Sequence, residues 1–328
     1  MRTPEFWDAT PGLVAGLLTP VGAALDAASR VCRAFAHPYH ASVPVICVGN
    51  IVVGGAGKTP VVLSLVEVLC QAGMSPHIVM RGYGGRLTGP VRVDPQTHDA
   101  DAVGDEALLA ATQAPTWVAR DRAAGVRAAA KAGAGAVLFD DGFQNPSVVK
   151  DLALLVVDAA YGFGNGRLLP AGPLRERVDD GLARADAIVL LDGDTAPPGL
   201  AGTACPILRA SLAPVDGGRL AGRRLVAFAG IGRPEKFFAT LRGLGAELVA
   251  EHAFPDHHRF SNTEIAALHA AAERKQALLV TTAKDAARLR PQSRAGIEVL
   301  DARIEWRDRP ALDALLARVL EARGAANG

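Results

Sequence analysis

The sequence predicts an α/β protein with a mostly parallel sheet covered by helices on both faces, and three observations predict it. Short runs rich in β-branched residues, such as 43–48 and 153–157, are apolar without alternation, as strands buried on both faces are. Segments with helical spacing separate these runs along most of the chain. The first run also leads through a glycine-rich loop straight into a helix.

Taken in order, residues 43–48 read as a buried strand. Residues 60–71 follow, with Val61, Leu65, Val68 and Leu69 spaced as one face of a helix. A second strand, 77–80, ends in the loop Arg81-Gly82-Tyr83-Gly84-Gly85. A helix starts near Gly104 and another covers 121–131, while 136–139, 153–157 and 187–191 are further strands. Residues 193–222 are rich in Gly and Pro, lack long periodic segments and read as a connector. Beyond it the pattern restarts with a strand at 225–229, a helix at 234–244 and a strand at 247–250. A helix at 262–275, a strand at 277–282 and a helix near 310–322 complete the chain. The expectation is a larger unit over residues 1–212 and a smaller α/β domain over 213–328.

The length of 328 residues agrees with two units. A formal net charge of +1 gives no global electrostatic case for nucleic acid, and aromatic residues at 5% offer few surfaces for stacking bases. The four cysteines (Cys32, Cys47, Cys70, Cys205) are scattered without a C-x-x-C pair. That gives no support for a disulfide framework or a zinc site and fits a reducing cytosol. No segment marks a protein partner. Residues 9–25 are uncharged, but Pro11, Pro20 and interspersed glycines make a poor spanning helix, which needs roughly 20 apolar residues. Two readings stay open for residues 9–30. The segment lies on a membrane surface with Arg30 and Arg33 at the head groups, or it packs on its own domain.

The stretch "GNIVVGGAGKTP", residues 49–60, matches a phosphate-binding loop except at its first glycine, where the chain has Val52. Backbone N–H groups of Gly54, Gly55, Ala56, Gly57, Lys58 and Thr59 would form a nest for nucleotide phosphates at a helix N-terminus. Lys58 would reach the β- and γ-phosphates, and the Thr59 hydroxyl would ligate Mg²⁺. Val52 matters only if that position needs a positive φ, which a β-branched residue tolerates poorly. In "VLFDDGFQN", residues 137–145, an apolar strand ends in Asp140 and Asp141, hard oxygen ligands suited to Mg²⁺ opposite such a loop. "VGDEALL", residues 103–109, puts Asp105 and Glu106 at a helix start, where acids also simply complement the helix dipole. "LLPAGPLRE", residues 168–176, displays Arg175 as a phosphate clamp. In "FPDHHRF", residues 254–260, the adjacent His257 and His258 make a poor chelate, which leaves one of them for acid–base work.

Together with "RGYGG", "FAGIGRPEKFF" and "TTAKDAARL", these motifs in this order resemble the tetraacyldisaccharide 4'-kinase family from about residue 43 to 290. The loop of that family likewise lacks the first glycine. The resemblance implies a P-loop NTPase-like core and a smaller C-terminal α/β domain joined by a β-ribbon. It implies ATP-dependent phosphorylation of the 4'-hydroxyl of a lipid A disaccharide 1-phosphate, with ATP and Mg²⁺ as cofactors. It also implies contact of the N-terminal segment with the cytoplasmic face of the bacterial inner membrane. Residue by residue, it makes Lys58 and Thr59 the nucleotide and magnesium positions and Asp105 the general base paired with His257. Asp140 and Asp141 become the metal-side acids, Gln144 an active-site amide at the nucleotide, and Arg122 and Arg175 phosphate-handling arginines. The chain departs from the family in Asn145, usually histidine, and in Ala283, commonly glutamate. A different class, a membrane-associated nucleotide switch with the loop K-G-G-x-G-K-T, would need a lysine where Val53 stands.

Overall fold

The computed structural model describes residues 4–55 and 57–327, and its longest helix, α1 (Leu13–Ala34), precedes the first strand. The larger sheet is then built in alternation by β1 (Val45–Gly49), α2 (Lys58–Gln71), β2 (Pro76–Met80), the short β3 (Val91–Arg92), α3 (Ala100–Val103) and α4 (Asp105–Ala111). It continues through β4 (Thr116–Val118), α5 (Arg122–Lys131), β5 (Ala136–Asp140), β6 (Leu152–Asp158), α6 (Val178–Leu182), β7 (Ala187–Leu191) and β8 (Ile207–Pro214). A second sheet follows, made by β9 (Arg224–Ala229), α7 (Pro234–Gly243), β10 (Glu247–Ala253), α8 (Asn262–Arg274), β11 (Leu278–Thr282), α9 (Ala283–Arg288) and β12 (Ile297–Leu300). The chain ends with β13 (Ala302–Trp306) and α10 (Arg309–Asn327).

Strand β1 lies inside the nine-stranded sheet, whose order is β13-β8-β7-β6-β1-β5-β2-β4-β3. All its residues are buried, and its side chains alternate between two apolar layers. Ile46 and Val48 join the layer of α2, while Val45 and Cys47 join that of Phe139, Phe143 and Val126. This explains the unbroken apolar run: a strand covered on both faces has no polar side to show. β5 and β6 flank β1 in parallel, so the loops leaving β1 and β5 emerge side by side at the carboxyl edge of the sheet. Sheets of this kind bind their ligands at such a position.

Residues 193–222, expected to be a plain connector, contain β8, which pairs in parallel with β7. The expected unit over 213–328 also needs correction. β13 returns to pair antiparallel with β8, and Leu312, Leu315 and Leu316 of α10 sit in the core of the larger sheet. Trp306 donates to the Ser64 hydroxyl at 2.6 Å, and Arg323 binds both Asp151 oxygens. The smaller unit is thus the four-stranded sheet β10-β9-β11-β12 with its helices, and β8 and β13 form the two-stranded link on which it is carried. Local pattern could not place β13, because its partner lies about 90 residues back in the chain.

Helix α1 is buried only at Ala15, Gly22 and Asp26. A Cβ on Gly22 would stand 3.0 Å from the Leu169 carbonyl oxygen, so this glycine permits close packing on the 168–169 backbone. Leu13, Leu17, Val21 and Leu25 recur every fourth residue on the open face, with Leu13 89% and Leu17 79% exposed. Arg30 and Arg33 both pair with acids of the chain, Arg30 from an exposed position and Arg33 from a half-buried one. Arg30 pairs with Asp26 and Asp180, and Arg33 lies 3.8 Å from the buried Glu176. No helix among the described residues is long and apolar enough to cross a membrane.

Membership of α10 in the larger unit has a measurable consequence. Leu312→Ala removes a fully buried side chain and should destabilise that unit by about 2–5 kcal/mol. Trp7, Trp117 and Trp306 all lie in the larger unit, so denaturant unfolding followed by tryptophan fluorescence reads the shift directly. An unchanged midpoint would return α10 to the smaller unit.

Candidate active site

The loop from β1 to α2 turns at glycines with positive φ, Gly54 at 114° and Gly57 at 79°. Gly57 caps α2 in the left-handed region, and a Cβ there would lie 2.5 Å from Leu191 Cδ1. Val52 adopts no positive φ. It bridges Leu174 in extended conformation, while Val53 N–H donates to the Pro173 carbonyl at 2.9 Å. A β-branched residue suits such backbone, so the absent glycine imposes no strain here. Lys58 and Thr59 open α2, with Gly55 just before the turn, and Ala56 lies outside the described residues.

The end of β5 supplies the acids. Asp140 is buried, and Asp141 follows in the left-handed region at φ 49°. Lys58 Nζ lies 3.6 Å from Asp141 Oδ1 and 3.3 Å from Asn50 Oδ1, and Arg175 donates to Asp141 Oδ1 at 2.8 Å. Burial works to raise the pKa of Asp141, but Lys58 and Arg175 outweigh it and hold the carboxyl below its usual range. Asp140 goes the other way. Burial first, then the charges of Glu106 and Asp141, push it from the ordinary 3.8 up to about 7. Arg122 was expected to handle phosphate, but it lies buried over the Phe139 ring and donates to the Asp140 carbonyl at 3.0 Å. Gln144, expected at the nucleotide, donates to the Asn50 carbonyl (2.7 Å) beside the glycine loop and to Glu176 (2.8 Å). Those two bonds use both amide hydrogens, so the side chain braces the loop. Asn145 accepts from the Ser147 N–H and hydroxyl and thereby folds the turn after the acids.

The smaller unit closes the other side. Asp105, at the start of α4, is buried, and its Oδ2 lies 3.2 Å from His257 Nδ1 and accepts from Arg288 Nε at 2.6 Å. The pair Asp105 and His257, separated by 152 residues in the chain, therefore meets only through the fold. Burial would raise the Asp105 pKa, yet the His257 hydrogen bond and the Arg288 charge hold it well below the carboxylate range. An ionised Asp105 requires the proton on His257 Nδ1. Around this pair Lys284 binds Glu106 at 2.9 Å, and Arg259 binds Asp101 at 2.9 Å. Farther along, Arg233 and Lys236 bind Asp158 at the end of β6. A Cβ on Gly232 would come within 3.4 Å of the Gly55 nitrogen, so the smaller unit reaches the glycine loop itself. Sequence reasoning missed Arg288, Lys284, Asn50 and Glu176. Arg288 stands four residues after Lys284 in "TTAKDAARL", one helical turn on, and that spacing was its only visible signal.

The donor set fits a nucleotide with Mg²⁺. Among the described residues the buried Asp140 Oδ1, Asn50 Nδ2 and Arg122 Nη1 lack hydrogen-bond partners, which is costly unless a ligand or ion completes them. No group of three or more His, Cys, Asp or Glu among the described residues could hold a metal by itself. Mg²⁺ does not need one, since one or two carboxylates and substrate phosphates suffice.

Comparison with known proteins places the chain among relatives. The family described as "Tetraacyldisaccharide-1-P 4'-kinase" matches residues 14–321. The tetraacyldisaccharide 4'-kinase of Rhodospirillum centenum is 54% identical over 327 residues, 98% of this chain and 97% of that protein. The one from Paramagnetospirillum magneticum is 54% identical over 317 residues, 95% of this chain and 96% of the relative. Among solved structures, the "apo" form of LpxK from Aquifex aeolicus in complex with ATP superposes with a TM-score of 0.75 at 25% identity. It covers 94% of this chain and 100% of that one.

The raised pKa of Asp140 predicts a pH-dependent stability. The folded state favours the protonated acid, so this contribution to stability is present below about pH 4 and is lost as pH rises toward 7. Asp140→Asn should therefore stabilise the nucleotide-free, metal-free protein at pH 8 by on the order of a few kcal/mol. The gain should vanish near pH 4. Urea unfolding with chelator at the two pH values checks this, and equal differences at both would refute it.

Proposed function

This chain belongs to the tetraacyldisaccharide-1-P 4'-kinase family, and on that premise we propose how its own residues carry the reaction. The activity is ATP-dependent phosphorylation of the 4'-hydroxyl of a lipid A disaccharide 1-phosphate. The observation that carries the residue assignment is the meeting of Asp105 and His257 at 3.2 Å beside the glycine loop.

In this reading the backbone N–H groups from Gly54 to Thr59 hold the ATP phosphates, and Lys58 lies over the β- and γ-phosphates. Asp141 and Asn50 keep Lys58 Nζ aimed before ATP arrives, which limits reorganisation at the moment of transfer. Thr59, Asp140 and Asp141 would hold Mg²⁺, whose charge offsets that of the phosphates. Arg175, fixed on Asp141, adds a second cation next to the transferring group. Asp105 accepts the proton of the 4'-hydroxyl as the bond from its oxygen to the γ-phosphorus forms. The bond from that phosphorus to the β,γ-bridging oxygen breaks, and ADP leaves. His257 donates Nδ1–H to Asp105 Oδ2 and holds the carboxylate in place. The exposed face of α1 rests in the head-group layer of the membrane, at the cytoplasmic face of the inner membrane, and so presents a lipid substrate to the site.

Incubation with labelled ATP, Mg²⁺ and the disaccharide 1-phosphate should label the lipid at the 4'-position. Lys58→Ala and Asp105→Asn should each lower kcat by at least about 100-fold, as loss of transition-state charge or of a positioned base does. Phosphate release without labelled lipid would favour a nucleotide switch instead.

The membrane assignment has its own check. Leu13→Ser with Leu17→Ser should weaken sedimentation with anionic vesicles about tenfold or more, because each leucine contributes roughly 1.5–3 kcal/mol on burial. ATP affinity should stay within about twofold, since α1 lies apart from the glycine loop. Unchanged sedimentation would mean that this face is covered by something other than lipid.

A further inference from the structure

Arg288 of α9 is a buried guanidinium to which the reading above gives no task. Its side chain is 5% exposed and spans three acceptors. Nε donates to Asp105 Oδ2 at 2.6 Å, and Nη1 donates to the Gly230 carbonyl at 2.6 Å and to Asp285 Oδ1 at 2.7 Å. Asp285, itself fully buried, is fixed by the Gly230 N–H and the Thr282 hydroxyl. The Gly230 carbonyl also accepts the backbone N–H of His257, whose φ of 59° lies in the left-handed region. One guanidinium therefore grips the carboxylate of one unit and the turn that carries the histidine of the other. A planar fork with several donors can do this, and an ammonium cannot serve all three directions at once.

The contacts divide the two oxygens of Asp105. Arg288 and His257 both converge on Oδ2, and Oδ1 takes part in neither contact. Arg288 Nη2, 3.4 Å from His257 Nδ1, has no lone pair to address there, since that nitrogen carries its proton toward Asp105.

We propose that Arg288 is a positioning residue of the phosphoryl transfer, holding Asp105 by Oδ2 so that Oδ1 meets the acceptor hydroxyl. The proposal rests on Asp105 being the base. Arg288 also weakens Asp105 as a base, and that loss is small in this chemistry. Phosphoryl transfer passes through a loose transition state in which positioning outweighs base strength. A buried arginine can equally act as plain mortar between two units, and the test must separate the two roles.

Four variants do so: Arg288→Met, Arg288→Lys, Asp105→Asn and the double variant Asp105→Asn with Arg288→Met. Arg288→Met should lower kcat by about 100-fold, the effect of misplacing a reacting group by about 1 Å. KM for ATP and for the disaccharide should stay within about threefold. Arg288→Lys restores a cation beside Asp105 and should recover kcat to within about tenfold of the parent. In the Asp105→Asn background, Arg288→Met should cost less than about threefold more, because there is no base left to position. Mortar between units predicts the reverse: a loss shared by KM and kcat that multiplies in the double variant. Either that pattern, or Arg288→Lys no better than Arg288→Met, overturns the proposal. If Arg288→Met does not fold, Arg288→Lys decides alone. A lower kcat at unchanged KM and unchanged melting supports positioning, and parental kinetics overturn it. Parental activity in Asp105→Asn would instead overturn the base assignment, and the proposal with it.

Discussion

A carboxylate taken out of water must find a cation or a set of donors, and that requirement organises this protein. The carboxyl edge of the parallel sheet gathers Asp105, Asp140, Asp141, Asp158 and Glu176, all but Asp141 deeply buried. Asp141 takes Lys58 and Arg175, Glu176 takes Arg184 and Arg33, and Asp158 takes Arg233 and Lys236. Asp105 takes His257 and Arg288. Asp140 is the exception. Arg122 spends its donor on the Asp140 backbone carbonyl, and the buried Oδ1 finds no partner among the described residues. Of these five acids Asp140 alone is left incomplete, and with Asp141 it is one of the two expected at a metal.

The same requirement sets how the two units meet. The cations for Asp105 and Asp158 both come from the smaller unit. Gly232 of the same unit approaches Gly55 of the phosphate-binding loop. The smaller unit hangs on two adjacent strands, β8 and β13, so it keeps a covalent and hydrogen-bonded attachment independent of those ion pairs. At the other end of the site, Arg33 ties the apolar-faced α1 to Glu176, whose partner Gln144 braces the backbone of Asn50. The segment suited to lipid and the loop suited to nucleotide thus share a buried acid.

Much of this was legible in the sequence because its cause is local. Unbroken apolar runs identified β1, β5, β6 and β7, since strands covered on both faces have no other composition. Glycines at positions that require positive φ marked the loop, and Lys58, Thr59 and the acids Asp140 and Asp141 follow elements that any strand–loop–helix pattern would place there. Where apolar signal was short, the reading failed. The three-residue β4 and the edge strands β3, β12 and β13 draw their stability from partners far along the chain. The boundary at residue 213 failed for the same reason, since no local feature says that residues 302–327 return to the first sheet.

The sequence by itself determined the chemistry available: which side chains can nest phosphates, ligate a hard cation or accept a proton, and in what order they occur. Tertiary structure decided which of them meet. Nothing in "VGDEALL" distinguishes an acid that complements a helix dipole from one gripped by His257 and Arg288, because both have the same local setting. Only the fold reveals what Arg122 and Gln144 hold, that Arg30 and Arg33 pair with Asp26, Asp180 and Glu176, and that Asp140 Oδ1 stays unpaired. Spacing and propensity act within a few residues along the chain. Charge pairing and desolvation act through space, and they took their partners from wherever packing brought them.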